Sequence, residues 1–264
     1  MRIGINASFL RKPGTGIGQV TLHFLKALAA SPEGKSHTFL LYLETDADIH
    51  YLPHNFEKHI VRPWYRRDDL IRKYLWERFV VPSHAKKEGC EAFLSLYQAP
   101  SLFSKKLPHL MLVHDIIPEL FPEYQGNMRR RFFWRRIKEG IRSATRLVVV
   151  SRCTRHDMVK FLGIPEGKIR VAYPGLSPQF AATLSSEAKE DVLEKYHLKP
   201  GYLYHGGGLE VRKNTELVLK AYACLKKIMP LNELPPLVIS GTGYAESNPL
   251  ATPVRSLIKS LNLG

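Results

Sequence analysis

Short apolar runs alternate with amphipathic stretches from one end of this 264-residue chain to the other. Runs at Ile3–Asn6, Thr38–Leu43, His59–Val61, Ala92–Leu94, Leu110–Val113 and Leu147–Val150 have the length and apolar content of buried strands. Between them, Ile17, Val20, Phe24, Leu25 and Leu28 recur at helical spacing. Leu70, Tyr74, Leu75, Arg78 and Phe79 make a second, less regular stripe. Strands that alternate with helices pair in parallel, with helices on both faces of the sheet. The pattern therefore predicts an α/β chain built on parallel sheet.

A second unit of the same kind starts near Tyr202. Leu217, Val218, Ala221, Tyr222, Leu225 and Ile228 form a helical stripe. Pro235 and Pro236 introduce a strand at Leu237–Ser240 that runs into Gly241-Thr242-Gly243, and a last helix is expected at Val254–Leu261. Two strands and two helices bury little apolar surface. The second unit is therefore expected to be incomplete, its next strand falling beyond Gly264. The segment from Tyr173 to Pro200 joins the units, which divides the chain into residues 1–182 and 183–264.

The formal charge of +15 and pI near 9.7 call for an anionic partner: nucleic acid, lipid headgroups or a phosphorylated substrate. Cys90, Cys153 and Cys224 have neither zinc nor disulfide spacing, which suits a reducing compartment. The first residues enter a strand pattern directly, so no signal peptide is expected, and no apolar run reaches membrane-spanning length.

Four segments can carry chemistry. Tyr202 to Asn214 reads as a strand, a turn of Gly206, Gly207 and Gly208, then Arg212 and Lys213 at the mouth of a helix. Glycines admit close approach of a ligand, and a helix N-terminus with added cations suits a diphosphate. The alternative is an ordinary turn with solvated cations. Gly14, Gly16 and Gly18 open the first helix directly after strand one. Their spacing is neither the dinucleotide fingerprint nor a phosphate-binding loop followed by Lys-Ser. His114 and Asp115 end a central strand, the sheet edge where ligands bind in open α/β folds. There His114 can steady developing positive charge, and Asp115 can take a hydroxyl proton or orient His114; a capping Asp beside a satisfied His is the alternative. Ser151 reads as a helix N-cap. Finally, Met128 to Arg142 interleaves arginines with Phe133, Trp134, Ile137 and Ile141 on one face. That suits a core helix with a basic back, an anionic lipid surface or nucleic acid. A second basic and aromatic patch spans Trp64–Arg67 and Arg72–Trp76.

In this order the segments resemble a retaining glycosyltransferase of family four, of the GT-B type and mannosyltransferase-like. The opening strand with Gly14-Thr-Gly-Ile-Gly18, Val113-His-Asp-Ile-Ile-Pro118, Val149-Val-Ser-Arg-Cys-Thr154 and the Tyr202–Asn214 loop all match, in order, elements of that family. The resemblance implies two Rossmann-like domains facing a cleft, with a GDP- or UDP-sugar donor bound mainly by the second and a glycan or lipid-linked saccharide bound by the first. It implies that Gly207, Gly208, Arg212 and Lys213 hold the leaving diphosphate, that His114 lies near the transferred sugar, and that Gly16 and Gly18 let the backbone approach phosphates or acceptor. No metal and no cofactor is implied, and a mannose-like sugar transferred with retention in surface polysaccharide or lipopolysaccharide synthesis is the family-level expectation. The location implied is cytoplasmic, on the inner face of the membrane. Two departures stand out: Gln19-Val20 replaces a frequent Arg-Tyr, and the family's pair of glutamates beyond the donor loop has no match before Gly264. The chain is therefore expected to be C-terminally truncated and to transfer sugar poorly by itself. The competing readings are a glycan- or membrane-binding module without enzymatic activity and, further off, a basic RNA-binding protein. A dehydrogenase is disfavoured by the glycine spacing.

Overall fold

The computed structural model describes residues 1–177, 180–241 and 248–263. Contacts divide the chain into two units, Met1–Gly175 and Leu176–Gly264, with the division a few residues before Ala182.

The first unit is a seven-stranded parallel sheet in the order β3-β2-β1-β4-β5-β6-β7. Its strands are β1 (Arg2–Asn6), β2 (Thr38–Leu43), β3 (Phe56–Ile60), β4 (Ala92–Ser95), β5 (His109–Val113), β6 (Arg146–Val149) and β7 (Ile169–Val171). Ile3 of β1 lies between Phe39 of β2 and Ala92 of β4, and the whole apolar set follows from that register. On one face Ile5, Phe39, Leu41, Leu43 and Phe56 pack with Leu25 of α1 (Gly16–Ala30). On the other, Leu40, Tyr42 and Phe93 pack against Trp76, Val81 and Ala85. The far half of the sheet is covered by α6 (Met128–Ser143) and α7 (Arg152–Leu162), through Trp134, Ile137, Ile141, Met158 and Leu162. The strand expected at His59–Val61 sits earlier, at β3, because Phe56 stacks on Phe39 with centroids 4.5 Å apart and anchors the register.

The less regular stripe at residues 70–79 has a physical cause. Helix α3 (Asp69–Leu75) passes into a π-helical turn, Trp76–Val80, before α4 (Val81–Lys87). The wider turn shifts the helical phase and turns both Trp76 and Glu77 inward. Short helices α2 (Pro32–Ser36) and α5 (Ile117–Leu120) complete the unit. Its helix α6 has the core face expected of it, and Gly140 lets that helix sit on the β4–β5 loop: a Cβ there would lie 2.1 Å from the Ala99 carbonyl oxygen.

The second unit contains a parallel pair, β8 (Leu203–His205) and β9 (Leu237–Ile239), with α9 (Thr215–Ile228) and α10 (Val254–Ser260). It also contains α8 (Ser186–Lys195), inside the segment expected only to join the units. Ser185 caps it through the Ala188 N–H, but the helix buries no residue, so it leaves no apolar stripe in the sequence. Gly243 lies outside the described residues.

Candidate active site

In the first unit the chain runs outward in one direction from β1 to β3 and in the other from β4 onward. The direction therefore reverses between β1 and β4. The crevice at the carboxyl ends of these two strands is where such sheets bind ligands. The loops after β1, β4 and β5 all reach this edge.

The loop after β1 is held by its own side chains. Thr15 accepts the Gly18 N–H at 3.2 Å and donates its hydroxyl to the Lys12 carbonyl at 2.9 Å. Gln19 donates to the Pro13 carbonyl at 2.6 Å, so the residue that replaces the family's frequent arginine ties down the loop. The three glycines differ. A Cβ on Gly18 would fall 2.1 Å from the Lys12 carbonyl oxygen, so that glycine is demanded by the chain's own packing. At Gly14 and Gly16 a Cβ would meet nothing within 4 Å, which leaves that stretch of backbone open.

His114 and Asp115 follow β5 directly. The His114 Nε2–H donates to the Leu96 carbonyl at 3.0 Å, and Nδ1 has no partner among the described residues. The Asp115 carboxylate accepts the N–H of Ile117, the first residue of α5, at 3.1 Å. Among the described residues, the group that orients His114 is the Leu96 carbonyl, not Asp115. Gln98 brackets the pair: its side-chain oxygen accepts the His114 N–H at 3.2 Å, and its amide donates to the Asp115 carbonyl at 3.3 Å. Thr154 donates to the His114 carbonyl at 3.3 Å, and Ser151 caps α7 through the Thr154 N–H at 3.0 Å, as its position suggested. Gln98 was not singled out from sequence. A lone amide in a loop carries no signal until the fold places it beside β5.

A buried polar cluster under the same edge was also missed. The Tyr97 hydroxyl accepts from Asn6 at 3.0 Å, bonds Ser8 at 2.8 Å and donates to Glu77. Glu77 is fully buried, its Oε2 has no partner among the described residues, and its Oε1 lies 3.8 Å from the Lys73 ammonium. Lys73 in turn lies over the Phe9 and Tyr97 rings, 4.8 and 4.7 Å from their centroids. Burial pushes the Glu77 carboxyl up to about 7, against the pull of Lys73. This cluster fixes the end of β1 and the start of its loop against the loop after β4. The signal available was an acid set between Trp76 and the apolar residues after it.

In the second unit, β8 ends at His205 and the chain turns through Gly206, Gly207 and Gly208. Gly207 and Gly208 have φ of +101° and +93°, which side-chain-bearing residues rarely adopt. The Lys213 ammonium lies over this turn, 3.7 Å from where a Gly207 Cβ would be, and has no ion pair among the described residues. Arg212 is different: its guanidinium is paired with Glu210 at 2.5 Å. The two cations sit in a 3-10 turn, Val211–Lys213, and Asn214 in the left-handed region (φ 53°) enters α9 with no side-chain cap on the helix's first turn. His205 holds the helix start through the Thr215 hydroxyl, Nε2 to Oγ1 3.1 Å. An uncapped helix N-terminus, a glycine turn and an unpaired ammonium together can bind a diphosphate. Among the described residues no group of three or more His, Cys, Asp or Glu side chains is placed to hold a metal ion.

The comparisons with known proteins agree with this architecture. O-antigen chain mannosyltransferase B of Escherichia coli is 27% identical over 256 residues, covering 91% of this chain and 64% of that protein. WaaG, described as a glycosyltransferase involved in lipopolysaccharide biosynthesis, superposes with a TM-score of 0.67 at 15% identity, over 100% of this chain and 68% of its own. Anabaena HepE, solved in complex with UDP, superposes with a TM-score of 0.63 at 13% identity, over 99% and 66%. The chain thus spans about two thirds of the length of these relatives. The structural likeness gives the fold, the GT-B type with its parallel sheets. Residues 14–180 match Glycosyltransferase Family 4, and with well over half of the sequence inside that match, the chain belongs to this family.

Proposed function

We propose that this chain supplies the acceptor-side domain and the donor-phosphate loop of a glycosyltransferase that moves a sugar, mannose in the first instance, from a GDP- or UDP-sugar to a glycan or lipid-linked saccharide, with retention. The relatives act in O-antigen and lipopolysaccharide synthesis by their names, which supports a surface polysaccharide as product and the cytoplasmic face of the membrane as the place of reaction. The observation that carries the reading is the turn at Gly207 and Gly208 with the Lys213 ammonium over it. A diphosphate there would sit against backbone at glycine, receive a full positive charge and face the N-terminus of α9. Arg212 would contribute less than Lys213, because Glu210 already pairs with it.

In the transfer, the bond from the anomeric carbon to the diphosphate breaks and its electron pair goes to the leaving oxygen. Lys213 and the glycine-turn amides would stabilise that charge, the electrostatic assistance worth most in such sites. The acceptor hydroxyl forms the new bond on the same face and gives its proton to the departing phosphate oxygen. His114, fixed through Nε2–H on Leu96 and through Gln98, would present its ring toward the developing positive charge on the sugar. Asp115 acts on the turn after β5, where its carboxylate accepts the Ile117 N–H.

The reading is tested by titrating the 264-residue chain with UDP and GDP in a calorimeter. One of the two should bind saturably. Lys213→Ala should weaken it by roughly tenfold, as expected for loss of one charge-assisted contact, and Arg212→Ala by less. No binding of either nucleotide, or equal binding in Lys213→Ala, would remove the donor-loop assignment.

A further inference from the structure

An apolar cavity of about 410 Å³ opens between α3 and α6, lined by Leu70, Ile71, Tyr74, Met128, Phe132 and Phe133 with Arg129 at its edge. Its volume is within the range of small-molecule sites, roughly 300–1,000 Å³. The walls are tied together. Asp68, the N-cap of α3, pairs with Arg129 at 2.5 Å, and the Tyr74 and Phe132 rings meet edge to face at 5.6 Å. The rim is apolar and in solvent: Met128 is 83% exposed, Phe132 47% and Ile71 37%, with Trp64 (74%) on the preceding segment. Around it stand exposed arginines, of which Arg130, Arg131 and Arg135 have no ion pair among the described residues.

The placement of these arginines works against the helix that carries them. Arg129, Arg130 and Arg131 occupy the first turn of α6, which contains no acid, and the positive end of the helix dipole disfavours cations there. An external anion relieves that repulsion. An occupant must therefore bring hydrocarbon for the cavity and negative charge for its rim. An anionic lipid does both, and a bilayer also accommodates the exposed Trp64 and Met128 at its interface. A second copy of this chain would bring the same arginines to face their own kind.

We propose that the α3–α6 cavity is a lipid site, in which an acyl chain of an anionic bilayer lipid enters between Ile71 and Phe132 while its headgroup meets Arg130 and Arg131. The site rests on the membrane-bound acceptor in the function proposed above, but its test reads no sugar transfer and no nucleotide binding, so either can fail alone.

The experiment is flotation of the 264-residue chain with vesicles of phosphatidylglycerol and phosphatidylcholine mixed, against phosphatidylcholine alone. The chain should float only with the anionic vesicles. Arg130→Glu with Arg131→Glu should lower the partition coefficient at least about tenfold, since each basic residue near an anionic surface contributes about fivefold. Ile71→Asp with Phe132→Asp should also lower it about tenfold, because a carboxylate in the cavity excludes hydrocarbon; both positions are solvent-exposed, and an unchanged circular dichroism spectrum checks the fold. Flotation that depends on the arginines but not on Ile71 and Phe132 would mean surface charge without a seated chain and would overturn the site. So would absence of flotation, or a dimer in sedimentation without vesicles that Phe132→Asp dissociates.

Discussion

Glu77 allows a prediction whose size follows from its surroundings. Its carboxyl is fully buried, Tyr97 donates to one oxygen, the other has no partner among the described residues, and burial raises its pKa from 4.5 to about 7. The groups around it are Lys73 on α3, Tyr97 after β4, Glu44 after β2 and Arg11 after β1. In the unfolded chain the same carboxyl ionises near 4.5. Between these values the folded protein holds a proton that the unfolded chain has lost, so stability is greatest below pH 4.5 from this group and falls as pH rises through 7. With these two values the penalty is about 1 kcal/mol at pH 5 and about 3 kcal/mol at pH 8. Glu77→Gln keeps an acceptor for Tyr97 and removes the titration. It adds a constant cost of about 1–3 kcal/mol, because the new amide N–H₂ has no partner where Oε2 lies. The unfolding free energy of the variant minus that of the parent should therefore rise by about 2–3 kcal/mol from pH 5 to pH 8. Urea unfolding followed by tryptophan fluorescence measures it, since Trp64, Trp76 and Trp134 all lie in the first unit and report on that unit alone. The subtraction matters, because buried His109, pushed down to about 3 by burial, makes both proteins lose stability as pH falls below 6.5. A difference that is flat with pH, or that falls toward pH 8, would refute the argument that Glu77 is held in a low-dielectric site without a second hydrogen-bond partner.

Three other outcomes follow from the geometry. Gly18→Ala, which drives a Cβ to 2.1 Å from the Lys12 carbonyl oxygen, should cost about 1–3 kcal/mol in urea unfolding, while Gly14→Ala and Gly16→Ala should each stay within about 1 kcal/mol of the parent. Gly207→Ala forces a side chain at φ +101° and should weaken UDP or GDP binding in calorimetry while leaving tryptophan-detected stability of the first unit unchanged. Trp134→Phe removes the 2.7 Å hydrogen bond to Glu119 and should cost about 1–2 kcal/mol, because Lys138 remains paired with that carboxylate.

The central strands were legible because they are mostly apolar runs, as at Thr38–Leu43, where five of the six residues are buried. By contrast β3, Phe56–Ile60, buries only Phe56 fully, and its expected start at His59 lies three residues late. The helix starts were legible where a side chain states them, as Ser151 does for α7. His114 at a strand end and glycines after β8 were visible for the same local reason. The sequence by itself thus determined the α/β alternation, the parallel sheet of the first unit and the family pattern. Tertiary structure decided what no local pattern encodes. It set Gly18 against Lys12 and left Gly14 and Gly16 open. Leu96, not Asp115, orients His114, and Arg212 spends its charge on Glu210 while Lys213 stays unpaired among the described residues. Glu77 was turned inward by a π turn, and α3 met α6 around an apolar cavity. The Leu96–His114 bond and the meeting of α3 with α6 join residues far apart in the chain, which the sheet brings together. The Gly18–Lys12 approach, the Glu210–Arg212 pair and the π turn are local in sequence but depend on backbone geometry that residue type alone does not state.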